Sequence, residues 1–180
     1  MNLPADQKHL YKRMKHALKH MPESLSDAVL VEVRGYLVEF QTVATQDFSA
    51  EGLRPLAKAL GRISAYRSRV AAVLIGAGNR EAIADGLKQR ADYVFAAVRS
   101  QAAASDAVIG ISRADLRKEK IFELSQPFAQ VAMRVKSRLL LLQSQSSALR
   151  LALGELDALQ KNISRQVTAI QVDLSVNRGA

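Results

Sequence analysis

The amino-acid sequence predicts an all-α fold, an antiparallel bundle of four or more helices with a long C-terminal helix patterned in heptads. Three observations predict it. Apolar residues recur at three- and four-residue steps almost throughout, and strand-like alternation is nearly absent. Punctuation is sparse, with 9 Gly and 4 Pro in 180 residues, which favours long helices. Aromatic residues make up only 5% of the chain and Trp is absent, so the core must be aliphatic.

The elements follow in order. A first helix covers about Ala5–Met21, with Leu10, Met14, Ala17, Leu18 and Met21 on one stripe, and Pro22 stops it. A second begins at Ser26-Asp27 and runs to about Thr45. Leu25, Val29, Val33, Tyr36, Phe40 and Val43 keep helical spacing there, and Leu30 and Leu37 widen the stripe to two sides. A third starts after Asp47-Phe48 with Ser49 as its N-cap and carries Leu53, Leu56, Leu60, Ile63, Val70 and Leu74 inward. Gly76-Ala77-Gly78 is expected to end it. Asn79 then caps a fourth helix over about Arg80–Ala104, with Ile83, Leu87, Ala91, Val94, Phe95 and Val98 inward. Residues 105–112, SDAVIGIS, read as a loop. It separates an N-terminal bundle segment, 1–104, from a C-terminal arm, 113–180, which packs back on it in one domain. Ser112-Arg113-Ala114-Asp115 has the form of a capping box with Asp in place of Glu. Pro127 should kink or break the arm, and from Phe128 to about Val176 only Gly154 interrupts the helical pattern.

That last stretch carries a seam. Steps of four and three lead through Val135, Leu139, Leu142, Ser146, Leu149, Leu153, Leu156, Gln160, Ile163, Val167, Ile170 and Leu174, all aliphatic except Ser146 and Gln160. A sustained spacing of 3.5 residues is that of a left-handed coiled coil, about 60 Å long at 1.5 Å per residue. Leu140, Leu141, Leu151 and Leu159 lie off the seam. A two-stranded coil would leave them bare, so a bundle is expected to cover them.

Charge is strongly positive, +9 with a pI near 10.1. Such a chain is drawn to nucleic acid, anionic surfaces or acidic proteins. Arg54, Lys58, Arg62 and Arg69 form one face of the third helix, opposite its apolar stripe, with no acid between Gly52 and Arg80. Like charges at this spacing repel, so an external anion would relieve them. Arg67 sits instead at the seam position between Ile63 and Val70, where it would pair with an acid or snorkel. Arg113, Arg117, Lys118 and Lys120 supply a second cluster on the arm, followed by Arg134, Lys136 and Arg138, and Asp115, Glu119 and Glu123 offset part of it. No zinc finger, aromatic RNA-binding sequence or helix-turn-helix accompanies these residues, so only sequence-blind phosphate contact is open to them.

Other chemistry is thinly represented. Cysteine is absent, which excludes disulfides, thiol nucleophiles and Cys-ligated metals and fits a reducing, cytoplasmic setting. No apolar leader or membrane-length stretch is visible. His9, His16 and His20 share one face of the first helix, without an acid or Cys to complete a metal shell. They would add positive charge below neutral pH. Gly76-Ala77-Gly78-Asn79 lacks the Lys-Ser/Thr of a phosphate loop, Glu119 and Glu123 read as surface pairing, and Asp92-Tyr93 carries no distinguishing pattern. No nucleophile stands beside a base, so no enzyme and no cofactor are expected. The richness in Ala, Arg, Leu and Val suits a GC-rich bacterial genome. The expected function is a non-enzymatic assembly or adaptor protein. It would self-associate or bind a helical partner through the seam and present its basic face to an acidic partner. The alternative is a sequence-independent nucleic-acid binder using the same basic faces.

Overall fold

The computed structural model describes residues 5–45 and 53–178, and the regular structure within them is entirely helical. The helices are α1 (Ala5–Lys19), α2 (Asp27–Thr45), α3 (Leu53–Ala103), the single turn α4 (Asp106–Ile109) and α5 (Ala114–Arg178). The expected Ser49 cap lies outside the described residues.

The chain forms two compact units. One comprises Met1–Ser24 and Asn79–Gln143, the other Leu25–Gly78 and Ser144–Ala180. Each is built from three long helical segments, because α3 and α5 contribute to both. The expected loop, residues 105–112, falls within the first unit. That loop holds α4, which begins after Ser105 and buries Val108.

Each unit has its own apolar cluster. In the first, Met14 of α1 and Met21 just after it pack with Ala84, Ala91, Val94 and Val98 of α3 and with Phe128, Val131, Val135, Leu139 and Leu142 of α5. In the second, Val33, Leu37, Phe40 and Ala44 of α2 pack with Leu56, Ile63, Tyr66 and Val70 of α3 and with Leu149, Leu156 and Ile163 of α5. Burial repeats every seven residues on α3 at Leu56, Ile63, Val70, Ala77, Ala84, Ala91 and Val98, and on α5 at Phe128, Val135, Leu142, Leu149, Leu156 and Ile163. A seven-residue repeat keeps one face turned to its neighbours along a long helix.

Several expectations are corrected. Gly76-Ala77-Gly78 does not end a helix. α3 runs through it, no glycine among the described residues has a positive φ, and Ala77 is buried at 3% exposure. Packing of Ala77 outweighs the roughly 1 kcal/mol by which each glycine disfavours a helix interior. Ile83 is 57% exposed, because the face that turns inward is the one carrying Ala77, Ala84 and Ala91. Pro127 does not break α5. It removes one backbone donor, while Phe128 and Val131 just beyond it are buried at 0% and 4% and anchor the continuing helix. Pro55 falls in the first turn of α3, where its missing N–H costs nothing. Leu140, Leu141 and Leu151 are not covered but exposed.

Two polar residues stand in the core of the second unit. The Leu25 N–H donates to Gln145 Oε1 at 2.9 Å, and Gln145 Nε2 donates back to the Leu25 carbonyl at 3.0 Å. This amide satisfies both backbone groups of one residue just ahead of α2, where no helix serves them. Its neighbour Ser146 is fully buried, and its Oγ has no hydrogen-bond partner.

Candidate functional site

The seam residues of α5 turn inward. Val135, Leu139, Leu142, Ser146, Leu149, Leu156 and Ile163 are buried, while Leu153, Gln160, Val167, Ile170 and Leu174 are half-buried. Leu153, Val167 and Ile170 pack against the second unit's cluster. At its seven buried positions the seam is occupied by the chain's own helices.

The predicted basic face of α3 is exposed at Arg54, Lys58, Arg62 and Arg69. Arg62 already has a carboxylate, its two terminal nitrogens donating to Glu39 of α2 at 2.5 and 3.1 Å, with its guanidinium over the Phe40 ring. Arg67, the seam arginine, pairs with Asp157 of α5. On the arm, Arg113 bonds Asp115 at 2.9 Å, Arg117 donates to the Ile111 carbonyl, and Lys120 bonds Glu123 at 2.8 Å, while Lys118 is exposed. Carboxylates supplied from neighbouring helices or turns therefore neutralise part of both predicted faces.

A different cationic feature is assembled in the first unit. α1 carries Lys8, Lys12, Arg13, Lys15 and Lys19 against the single acid Asp6. Its pose is fixed by Met14, Ala17 and Met21 in the core, by an edge-on contact of Tyr11 with Phe128 at 5.4 Å, and by Arg138. The Arg138 guanidinium donates to the Leu18 carbonyl at 3.0 Å, a cation on the negative end of the helix. With that stripe committed inward, His9, Lys12, Arg13 and His16 form one rim of a groove against α3. Spacings of three, four and seven residues align them on one side. Gly86, Gln89, Arg90 and Tyr93 of α3 form the other rim, also at three-, four- and seven-residue steps, and Met14, Ala17, Leu87, Ala91 and Val94 make the floor. The groove encloses about 730 Å³.

No carboxylate among the described residues lines it. The two acids nearest in sequence on α3 have partners: Asp85 accepts from Gln89 Nε2 at 2.8 Å, and Asp92 bonds Lys88 at 2.9 Å, which raises the Lys88 pKa. Gly86 keeps one rim low, since nothing lies within 4 Å of where a Cβ would stand. Tyr93 is 76% exposed. The groove is thus apolar below, cationic along both rims and aromatic at one edge.

Of the histidines, His9 and His16 join the groove. His20 stacks on His16 with centroids 3.8 Å apart, and its Nδ1 lies 2.8 Å from the His16 carbonyl. Among the described residues no three His, Cys, Asp or Glu side chains gather as a metal site, and no helix is long and apolar enough to cross a membrane.

Sequence reasoning passed over this groove because its two rims, His9–His16 and Gly86–Tyr93, are far apart in the chain and meet only in the fold. The basic bias of α1 was visible, but Arg90 and Tyr93 carried no local signal. The chain matches no family model, no curated protein and no solved structure.

Proposed function

We propose that this chain is a sequence-independent nucleic-acid-binding protein that holds a sugar-phosphate backbone on the rims of the α1–α3 groove. The observation that carries the proposal is the convergence of Lys12, Arg13 and Arg90 on one groove with no carboxylate lining it. Phosphate contact of this kind gains from counterion release and needs no base-reading motif, which suits a chain of net charge +9. The exposed Arg54, Lys58 and Arg69 strengthen the positive field of the molecule.

Fluorescence-anisotropy titration of a mixed-sequence oligonucleotide at two salt concentrations tests it. Wild type should bind at low salt and weaken steeply as salt rises. A Lys12→Glu/Arg13→Glu/Arg90→Glu variant should lose most of that affinity, with a salt slope lower by about 2–3, near one unit per phosphate contact removed. Absence of binding at low salt refutes the proposal.

The packing that presents the groove is best read as α3 antiparallel to α5, wound as a coiled coil, with α1 and α2 as third helices. The seven-residue burial repeat on both long helices and the Arg67–Asp157 pair support this reading. A second functional reading, an assembly or adaptor role, is favoured by Met133, Leu140 and Leu141 of α5, which are 68%, 53% and 50% exposed. It moves the partner surface off the buried seam. If it holds, light scattering should find an oligomer in wild type that Leu140→Asp/Leu141→Asp dissociates; a wild-type monomer refutes self-association.

A further inference from the structure

Resting on the nucleic-acid reading above, we infer that the ligand is a single strand, and that Tyr93 is the platform on which one of its bases stacks. A duplex keeps the faces of its bases stacked inside and presents only base edges and phosphates, so it cannot stack a base on an exposed ring. This groove has an apolar floor and an exposed ring. Met14, Ala91 and Val94 line its floor, and Tyr93 stands 76% exposed at its edge, one helical turn beyond Arg90. A tyrosine so placed contributes nothing to the core. Sequence-blind single-strand sites combine cations that follow the backbone with aromatic rings that accept any base.

The neighbouring groups leave the ring available. Asp92 is held by Lys88, and Asp85 accepts from Gln89, so each carboxylate has a partner outside the cations of the rim. Gly86, one turn before Arg90 on the same rim, leaves open the space that a side chain would occupy beside an entering base. Phosphates would then lie against Lys12 and Arg13 of α1, and the base would face α3.

The test compares one labelled oligonucleotide as a single strand and as its duplex, by anisotropy at fixed low salt, for wild type, Tyr93→Ala and Tyr93→Phe. Wild type should prefer the single strand. Tyr93→Ala should weaken single-strand binding by about tenfold, within the range for loss of one stacked base, while duplex binding stays unchanged and Tyr93→Phe keeps wild-type affinity. Because Tyr93 is exposed, these variants should keep the wild-type thermal transition, which separates lost stacking from lost folding. Equal affinity for strand and duplex, or an unchanged single-strand affinity in Tyr93→Ala, overturns the inference while leaving polyanion binding standing. Failure of wild type to bind either form overturns both.

Discussion

Replacing Gly76 and Gly78 with alanine tests whether α3 passes through Gly76-Ala77-Gly78 as one helix. Were either glycine a left-handed C-cap, an alanine there would be strained by about 1–2 kcal/mol. In the structure both have ordinary negative φ, and nothing lies within 4 Å of an added Cβ. Alanine then only gains, by restricting the unfolded chain and improving helix propensity, at about 0.5–1 kcal/mol per site. The double variant should therefore be more stable by about 1–2 kcal/mol. For a chain of this size that raises the midpoint of thermal unfolding by about 2–8 °C. Gly61→Ala, inside α3 and equally open, calibrates the gain of a single site. Scanning calorimetry or far-ultraviolet circular dichroism reads the midpoint. A fall in midpoint for either single variant would refute the continuous helix.

The adjacent core residues Gln145 and Ser146 should respond with opposite signs in urea unfolding. Gln145→Leu strands the Leu25 N–H and carbonyl and should cost about 1–3 kcal/mol, whereas Ser146→Ala removes a buried hydroxyl without a partner and should stabilise by about 1 kcal/mol. Leu156→Ala, at a fully buried site, should cost about 2–5 kcal/mol in the same assay. The Tyr66 phenol is pushed up to about 12, chiefly by burial and then by the charges of Glu32 and Tyr36, with Arg69 opposing. Its folded value lies above its unfolded one, so its stabilisation is complete below pH 10 and is lost as pH rises from 10 towards 12. Ultraviolet titration should show a late tyrosine step, with loss of helical signal across that window, and Tyr66→Phe should abolish it.

Helical class and most inward stripes were legible because large side chains announce them. α2 is the plain case: Val33, Leu37 and Phe40 were expected inward and are buried. The middle of α3 was misread for the opposite reason. Its inward positions there are Ala77 and Ala84, too small to mark a face, so Ile83 drew the phase and the two glycines drew a boundary, although Ala91 further along was rightly expected inward. Charge was legible residue by residue but its partners were not. Glu39 and Asp157 reach Arg62 and Arg67 from other helices, and no local spacing reports that. The groove belongs to the same class, since α1 and α3 must be folded together before His9, Lys12, Arg90 and Tyr93 become neighbours.

The Arg67–Asp157 pair has a consequence for register. A seven-residue burial repeat leaves an apolar residue at each inward position after sliding: moving α5 by seven places replaces Leu149 with Leu142 or Leu156, so only side-chain size and polar contacts mark the alignment. The ion pair does distinguish them. After such a slip Arg67 would face Arg150 or Ser164 instead of Asp157, a repulsion in one direction and a lost partner in the other. A partly exposed pair of this kind adds little to stability, about 0–1 kcal/mol. Its larger effect falls on the competing alignments, which it disfavours together with the Gln145–Leu25 and Arg138–Leu18 bonds, where leucine exchanged for leucine does not.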